Sequence, residues 1–250
     1  MLSEEKRIAC MNPPAGRLRL AIDTDTMNEV DDQFAIAWAA ASKDRFDLEA
    51  LYAAPFSHDC FSALNEDEAL VAAAGEANGH SEDPADGMEQ SYQEIIRILG
   101  MMNEPTEGRV FRGSGRYLPD RETPVDSPAV RDLIHRAMNG SGMLYVAAIA
   151  TLTNIASAIL LEPAITEHMT VVWLGGHQLS CGHGIEFNLI QDVYAAQVVL
   201  NSGVPMIWVP CNNVAALLTV TESELRTFME NNGTISDYLA KTVLNKFLVP

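Results

Sequence analysis

Short apolar runs, each followed by a stretch of helical periodicity, are the feature that most constrains this chain. Leu18–Ile22, Ala50–Ala54, Val110–Phe111, Leu144–Ala150, Thr170–Leu174 and Pro205–Val209 are such runs. A strand exposed on one face alternates apolar with polar residues, whereas a strand covered on both faces reads as continuously apolar. Parallel neighbours also need a crossover segment, usually a helix, between them. The pattern therefore predicts the α/β class: an open, mostly parallel β-sheet flanked by helices. Helices are predicted over Asp31–Ser42, Asn65–Ala77, Met88–Asn103, Leu152–Leu161, Val193–Asn201 and Ser236–Leu248. Another opens at Ser127-Pro128, with Pro where the missing N–H costs nothing, and Gly203 is placed to end the helix before it. Thr221-x-x-Glu224 is a capping box opening a helix to Asn231. On Asp31–Ser42, the residues Phe34, Ala35, Trp38 and Ala41 share one face, and core packing is expected for Trp38, Trp173 and Trp208.

At 250 residues, without repeat, low-complexity tract or linker, the chain reads as a single domain over 1–250. Its 34 acidic against 16 basic residues give a net charge of −18, which repels phosphate backbones and anionic lipid. Nucleic acid and membrane are thus not expected as partners, whereas a cation or a neutral small molecule fits. No apolar run approaches the ~18 residues of a membrane span, and the N-terminus shows no signal-peptide core. Cys10, Cys60, Cys181 and Cys211 form no CxxC pair, so reduced thiols and a cytoplasmic location are expected.

In open parallel sheets ligands bind beyond the carboxyl ends of the strands. The segment after the first strand is Asp23-Thr24-Asp25-Thr26-Met27-Asn28-Glu29-Val30-Asp31-Asp32, five acids in ten residues, and no Lys or Arg occurs from Leu20 to Ser42. Carboxylates so crowded raise one another's proton affinity unless solvent or a cation neutralises them. All-oxygen donors favour Ca²⁺ or Mg²⁺ over Zn²⁺. The plainer reading is an acidic first turn on a solvated helix, favoured by the helix dipole. Other strands are followed by Pro55-Phe56-Ser57-His58, by Thr151-Leu152-Thr153-Asn154, by Gly175-Gly176-His177 leading to Glu186-Phe187-Asn188, and by Cys211-Asn212-Asn213.

Four of these motifs, in this order, resemble the inosine–uridine-type nucleoside hydrolases: Asp23-Thr24-Asp25…Asp31-Asp32, Leu152-Thr153-Asn154, Gly175-Gly176…Glu186-Phe187-Asn188, and Asp192…Ala195-Ala196…Gly203-Val204-Pro205. The resemblance spans residues 18 to about 210 and implies a Rossmann-like sheet and a Ca²⁺-dependent hydrolase of N-ribosidic bonds. It implies that Asp25 binds the metal and takes a proton from the attacking water, that Asp32 is a metal ligand, and that Thr153 is a ligand through its backbone carbonyl. It implies ribose contacts for Asp31, Glu186 and Asn188, a supporting role for Asp23, and a homo-oligomer. The segment between Asp25 and Asp31 is two residues longer than the family's turn, so Asn28 and Glu29 add polar groups beside the site. His177 and His183 stand where a sugar or base contact is expected. The family's last metal ligand, an Asp, belongs to a segment for which this chain shows no match before Pro250, so the expectation is either a sequence that lacks the family's C-terminal segment or a metal site one carboxylate short.

Three other readings remain at this stage. Asp23-x-Asp25 after a strand is similar to haloacid-dehalogenase-type phosphatases, but Met27 stands where those have Thr or Val. His177, Cys181 and His183 match no zinc spacing, and His58 is a further acid–base candidate. The chain could also bind a riboside or cation without cleaving it. Arg109, Arg112, Arg116 and Arg121 form the basic patch, a solvated loop or a lid.

Overall fold

The computed structural model describes residues 2–58 and 81–248. The helix expected over Asn65–Ala77 and the thiol of Cys60 lie outside the described residues. The strands are β1 (Leu18–Thr24), β2 (Phe46–Ala53), β3 (Val110–Arg112), β4 (Leu144–Ala148), β5 (Met169–Leu174) and β6 (Met206–Val209). They form a sheet in the order β3-β2-β1-β4-β5-β6, with every pair parallel. The order runs outward from β1 in both directions, so the chain reverses direction across the sheet between β1 and β4. That reversal opens a crevice at the carboxyl ends of these two strands.

The described α-helices are α1 (Glu4–Cys10), α2 (Val30–Ala41), α3 (Pro84–Met101), α4 (Pro128–Asn139), α5 (Thr153–Leu161), α6 (Phe187–Ile190), α7 (Val193–Asn201), α8 (Glu222–Phe228) and α9 (Thr234–Leu248), with short 3-10 turns at Pro163–Glu167 and Ala215–Leu217. One core layer holds α4, α5 and α7 against the sheet. The other holds α2, α3 and, through Leu239, α9. β1 serves both: Leu18, Leu20 and Ile22 face the α2–α3 layer, while Ala21 faces the α4–α5 layer. The same two-residue alternation sends the last two side chains of β1 to opposite faces. Asp23 reaches α5 and Thr24 reaches α2.

Two expectations are corrected here. Helix α3 begins at Pro84, capped by Asp83, four residues before the predicted Met88. Gly87 is tolerated inside its first turns because the carbonyl oxygen of Phe56 would lie 2.1 Å from a side-chain carbon there. Helix α2 is rotated from its expected setting. Its buried residues are Asp32, Gln33, Ile36, Ala37, Ala39 and Ala40, and Trp38 is 71% exposed. Two polar residues take the inward face because they have partners there, and the tryptophan is carried outward. Trp173 is buried as expected, its indole N–H donating to the Ala150 carbonyl. Trp208 is half-buried and donates to Gly175.

Candidate functional site

The acid cluster sits at the crevice. Asp25 and Asp32 are buried, at 1% and 4% exposure. Burial raises the proton affinity of Asp25 well above the usual carboxylate range, and the charges of Glu29 and Asp31 raise it further. Burial raises Asp32 likewise, with Asp25 and Asp31 adding to the effect. Neither carboxylate has a cationic partner among the described residues. Their neutral partners hold them in place: the Asn28 amide donates to Asp25 Oδ2 at 3.2 Å, and Thr24 Oγ1 donates to Asp32 Oδ1 at 2.5 Å. The Asn28 backbone N–H also closes a turn onto the Asp25 carbonyl at 2.7 Å. The longer segment therefore folds back over Asp25. Asp31 is exposed at the rim, and its Oδ1 accepts from the Asp32 N–H at 3.1 Å.

Asp23 lies beneath. It is fully buried, and desolvation lifts its pKa to about 7 against the opposing hydrogen bond from Asn154. Asn154 Nδ2 donates to Asp23 Oδ1 at 2.8 Å, and Asn154 Oδ1 accepts from the Ser114 N–H at 2.8 Å. Gly113 makes that bridge possible, since a side-chain carbon there would stand 2.0 Å from the Ala53 carbonyl oxygen and 2.5 Å from Asn154 Nδ2. Thr153 is buried at the first position of α5, and its hydroxyl donates to Asp192 Oδ2 at 2.7 Å. Asp192 also accepts from the Leu118 and Ala195 N–H groups, so one carboxylate caps α7, ties down the loop after β3 and orients Thr153.

A cavity of ≈ 430 Å³ opens beside the acids, lined in part by Glu29, Asp31, His177, His183, Glu186 and Asn188. Glu186 caps α6 and accepts from the N–H groups of Gly176, Asn188 and Leu189. Burial raises its proton affinity, and those bonds oppose the rise. Asn188 Nδ2 donates to the Leu174 carbonyl at 3.0 Å. His177 and His183 meet edge to face with ring centroids 5.3 Å apart, and His177 Nε2 contacts the Ile185 carbonyl at 2.8 Å. Cys211 also lines the cavity, and burial together with the charges of Glu186, Glu29 and Asp31 raises its thiol pKa, which disfavours a thiolate nucleophile.

The residues named from the sequence as metal, sugar and supporting groups fall at one end of the sheet, in two tiers. Asp23, Asp25, Asn28, Asp32 and Thr153 are buried at the crevice, whereas Glu29, Asp31, His177, His183, Glu186 and Asn188 border the open cavity. Among the described residues, no three His, Cys, Asp or Glu side chains converge as a ready-made metal cage. Sequence reasoning missed Thr24, Asn154 and Asp192 as the residues that orient the acids and Thr153. The available signal was their position, each immediately beside a chosen residue or at a helix start. A larger hollow of ≈ 860 Å³ lies between α5 and α7, lined by residues such as Arg121, Ile159 and Gln197, and contains none of the clustered acids.

A parallel α/β sheet that gathers buried carboxylates at its reversal point, beside an open polar cavity, is the arrangement in which α/β proteins hold small molecules. More specifically, the chain belongs to the inosine-uridine preferring nucleoside hydrolase family, whose model matches residues 20–248. It is 24% identical over 230 residues to a probable uridine nucleosidase 2 of Arabidopsis thaliana, covering 90% of this chain and 68% of that protein. It is 34% identical over 82 residues to the pyrimidine-specific ribonucleoside hydrolase RihB of Escherichia coli O1:K1, covering 32% of this chain and 26% of the relative. The structure superposes on a purine-preferring ribonucleoside hydrolase from Gardnerella vaginalis with a TM-score of 0.67 at 20% identity, covering 90% of this chain and 70% of the other. That likeness confirms the expected open α/β fold. No described helix is long and apolar enough to cross a membrane.

Proposed function

We propose that the chain hydrolyses the N-glycosidic bond of ribonucleosides to ribose and free base, with Ca²⁺ held at Asp25 and Asp32. The observation that carries this reading is the pair of buried carboxylates without a cationic partner among the described residues, in the same acidic turn as Glu29 and Asp31, which line a cavity together with His177, Glu186 and Asn188. Two buried acids whose proton affinity is raised by burial and by neighbouring carboxylates fit a divalent cation, and their hard oxygens fit Ca²⁺. The Thr153 carbonyl, water and substrate hydroxyls would complete the shell. A bound divalent ion supplies positive charge that keeps both acids ionised and lowers the pKa of water at the site.

The chain's own groups perform the remaining tasks. Asp25 takes a proton from the attacking water. Asn28 holds the Asp25 carboxylate in register for that transfer. Asp31, Glu186 and Asn188 hold the sugar hydroxyls, and a site built to hydrogen-bond a hydroxyl rejects analogues that lack it, so ribosides are preferred to deoxyribosides. Glu29 and the other fixed carboxylates favour the oxocarbenium-like transition state of bond cleavage. His177 and His183, across the cavity, contact the departing base.

Replacing Asp25 with Asn tests the assignment. Uridine and inosine binding should persist while base release falls about a thousand-fold, as expected when a proton-transfer group and a charged ligand are lost together. A second reading is a riboside-binding protein of the same fold without hydrolysis. Wild-type protein that binds ribosides and Ca²⁺ but releases no base would establish that reading instead.

A further inference from the structure

Behind the acidic turn lies a second polar layer that contacts neither the crevice nor the cavity. Glu94 of α3 is 1% exposed. Its Oε1 accepts from Gln33 Nε2 of α2 at 2.9 Å and from the Tyr238 hydroxyl of α9 at 2.5 Å, while its Oε2 pairs with the largely exposed Arg97 at 3.2 Å. Gln33 directly follows Asp31 and Asp32. Because a carboxylate only accepts, Gln33 must turn its NH₂ toward Glu94. This leaves Gln33 Oε1 buried without a partner among the described residues. One turn before Glu94, on the same face of α3, Ser91 Oγ stands 3.5 Å from the Met27 N–H in the acidic segment.

We infer that Glu94 is a positioning residue: through Gln33 it sets the first turn of α2, which carries Asp31 and Asp32, and α9 sets Glu94 through Tyr238. The setting of α2 is what such an anchor produces. An apolar helix left to hydrophobic burial would turn Trp38 inward, yet Gln33 is buried and Trp38 is exposed. A buried amide with one unsatisfied oxygen is a poor choice for packing and a good one for fixing orientation. The C-terminal helix, distant in sequence from the acids, is thereby joined to their turn through three side chains, Tyr238, Glu94 and Gln33. What the positioned turn does rests on the hydrolase reading above, whereas the anchoring itself does not.

Hydrogen exchange on the metal-free full chain tests the anchoring. Tyr238→Phe and Gln33→Leu should each speed amide exchange over residues 26–33 by about ten-fold, the effect of losing one hydrogen bond to a charged group. Exchange in β4 and β5 should stay unchanged. Titration with CaCl₂ alone should show an affinity about ten-fold weaker in the first two variants. Unchanged exchange over residues 26–33, or an equal increase along the whole chain, would overturn the positioning role. Wild-type protein that fails to bind CaCl₂ would instead count against the hydrolase reading, with the exchange result still deciding the anchoring.

Discussion

Asp23 offers a prediction whose sign and size follow from the structure. Its pKa is about 7 in the fold and 3.8 as the ordinary value, with burial as the cause. A carboxyl whose folded pKa is raised binds protons more tightly in the native state than in the unfolded one. Stability therefore falls as pH rises from about 4 to about 7, and the loss is complete above that window. With 1.36 kcal/mol per unit, the cost is about 4 kcal/mol at pH 8 relative to pH 4. Asp23→Asn keeps an oxygen to accept from Asn154 but cannot ionise. It should be close to wild type in stability at pH 4 and more stable by up to about 4 kcal/mol at pH 8. Urea unfolding of the two proteins across that range, without added metal, measures the difference directly. Asp25 and Asp32 are present in both, so their contribution cancels. Parallel stability–pH curves for the two proteins would refute the claim that Asp23 is a desolvated acid.

Three further outcomes are expected. Thr24→Val removes the hydroxyl that donates to Asp32 and should weaken Ca²⁺ binding about ten-fold by calorimetry while leaving the core volume unchanged. Gly113→Ala places a carbon against the Ala53 carbonyl and the Asn154 amide and should destabilise by about 2–3 kcal/mol, seen as a lower midpoint in urea. Trp38→Gln, on the exposed face of α2, should shift stability by no more than about 0.5 kcal/mol, whereas a core tryptophan would cost several times that.

The strand order was not legible in the sequence, but the class of sheet was, because continuous apolar runs separated by helices admit few arrangements. Helix boundaries were recovered where capping chemistry was plain, as at Ser127-Pro128 and at Thr221 with Glu224. They were missed at Pro84, where Gly87 looks like a break until the Phe56 carbonyl is seen beside it. The face of α2 was misread for a physical reason. Apolar periodicity favours Phe34 and Trp38 inward, but Thr24 and Glu94 supply partners that draw Asp32 and Gln33 in. Those partners come from other elements, 8 and 61 residues away in the chain, and no local pattern announces them. The site residues were legible because chemistry at a sheet edge follows the strands. Their division into a buried pair and a cavity rim, and the tie from Thr153 to Asp192, depended on tertiary placement.

The account turns on whether the buried acids serve a cation that supports hydrolysis. The direct measurement is chromatographic release of uracil from uridine and hypoxanthine from inosine, using chelator-stripped protein before and after CaCl₂ is returned. Stripped protein should release neither base at a measurable rate, and CaCl₂ should restore release from at least one nucleoside in the wild type but not in Asp25→Asn. Equal release with and without Ca²⁺, or no release from either nucleoside by protein shown to bind Ca²⁺, would contradict it.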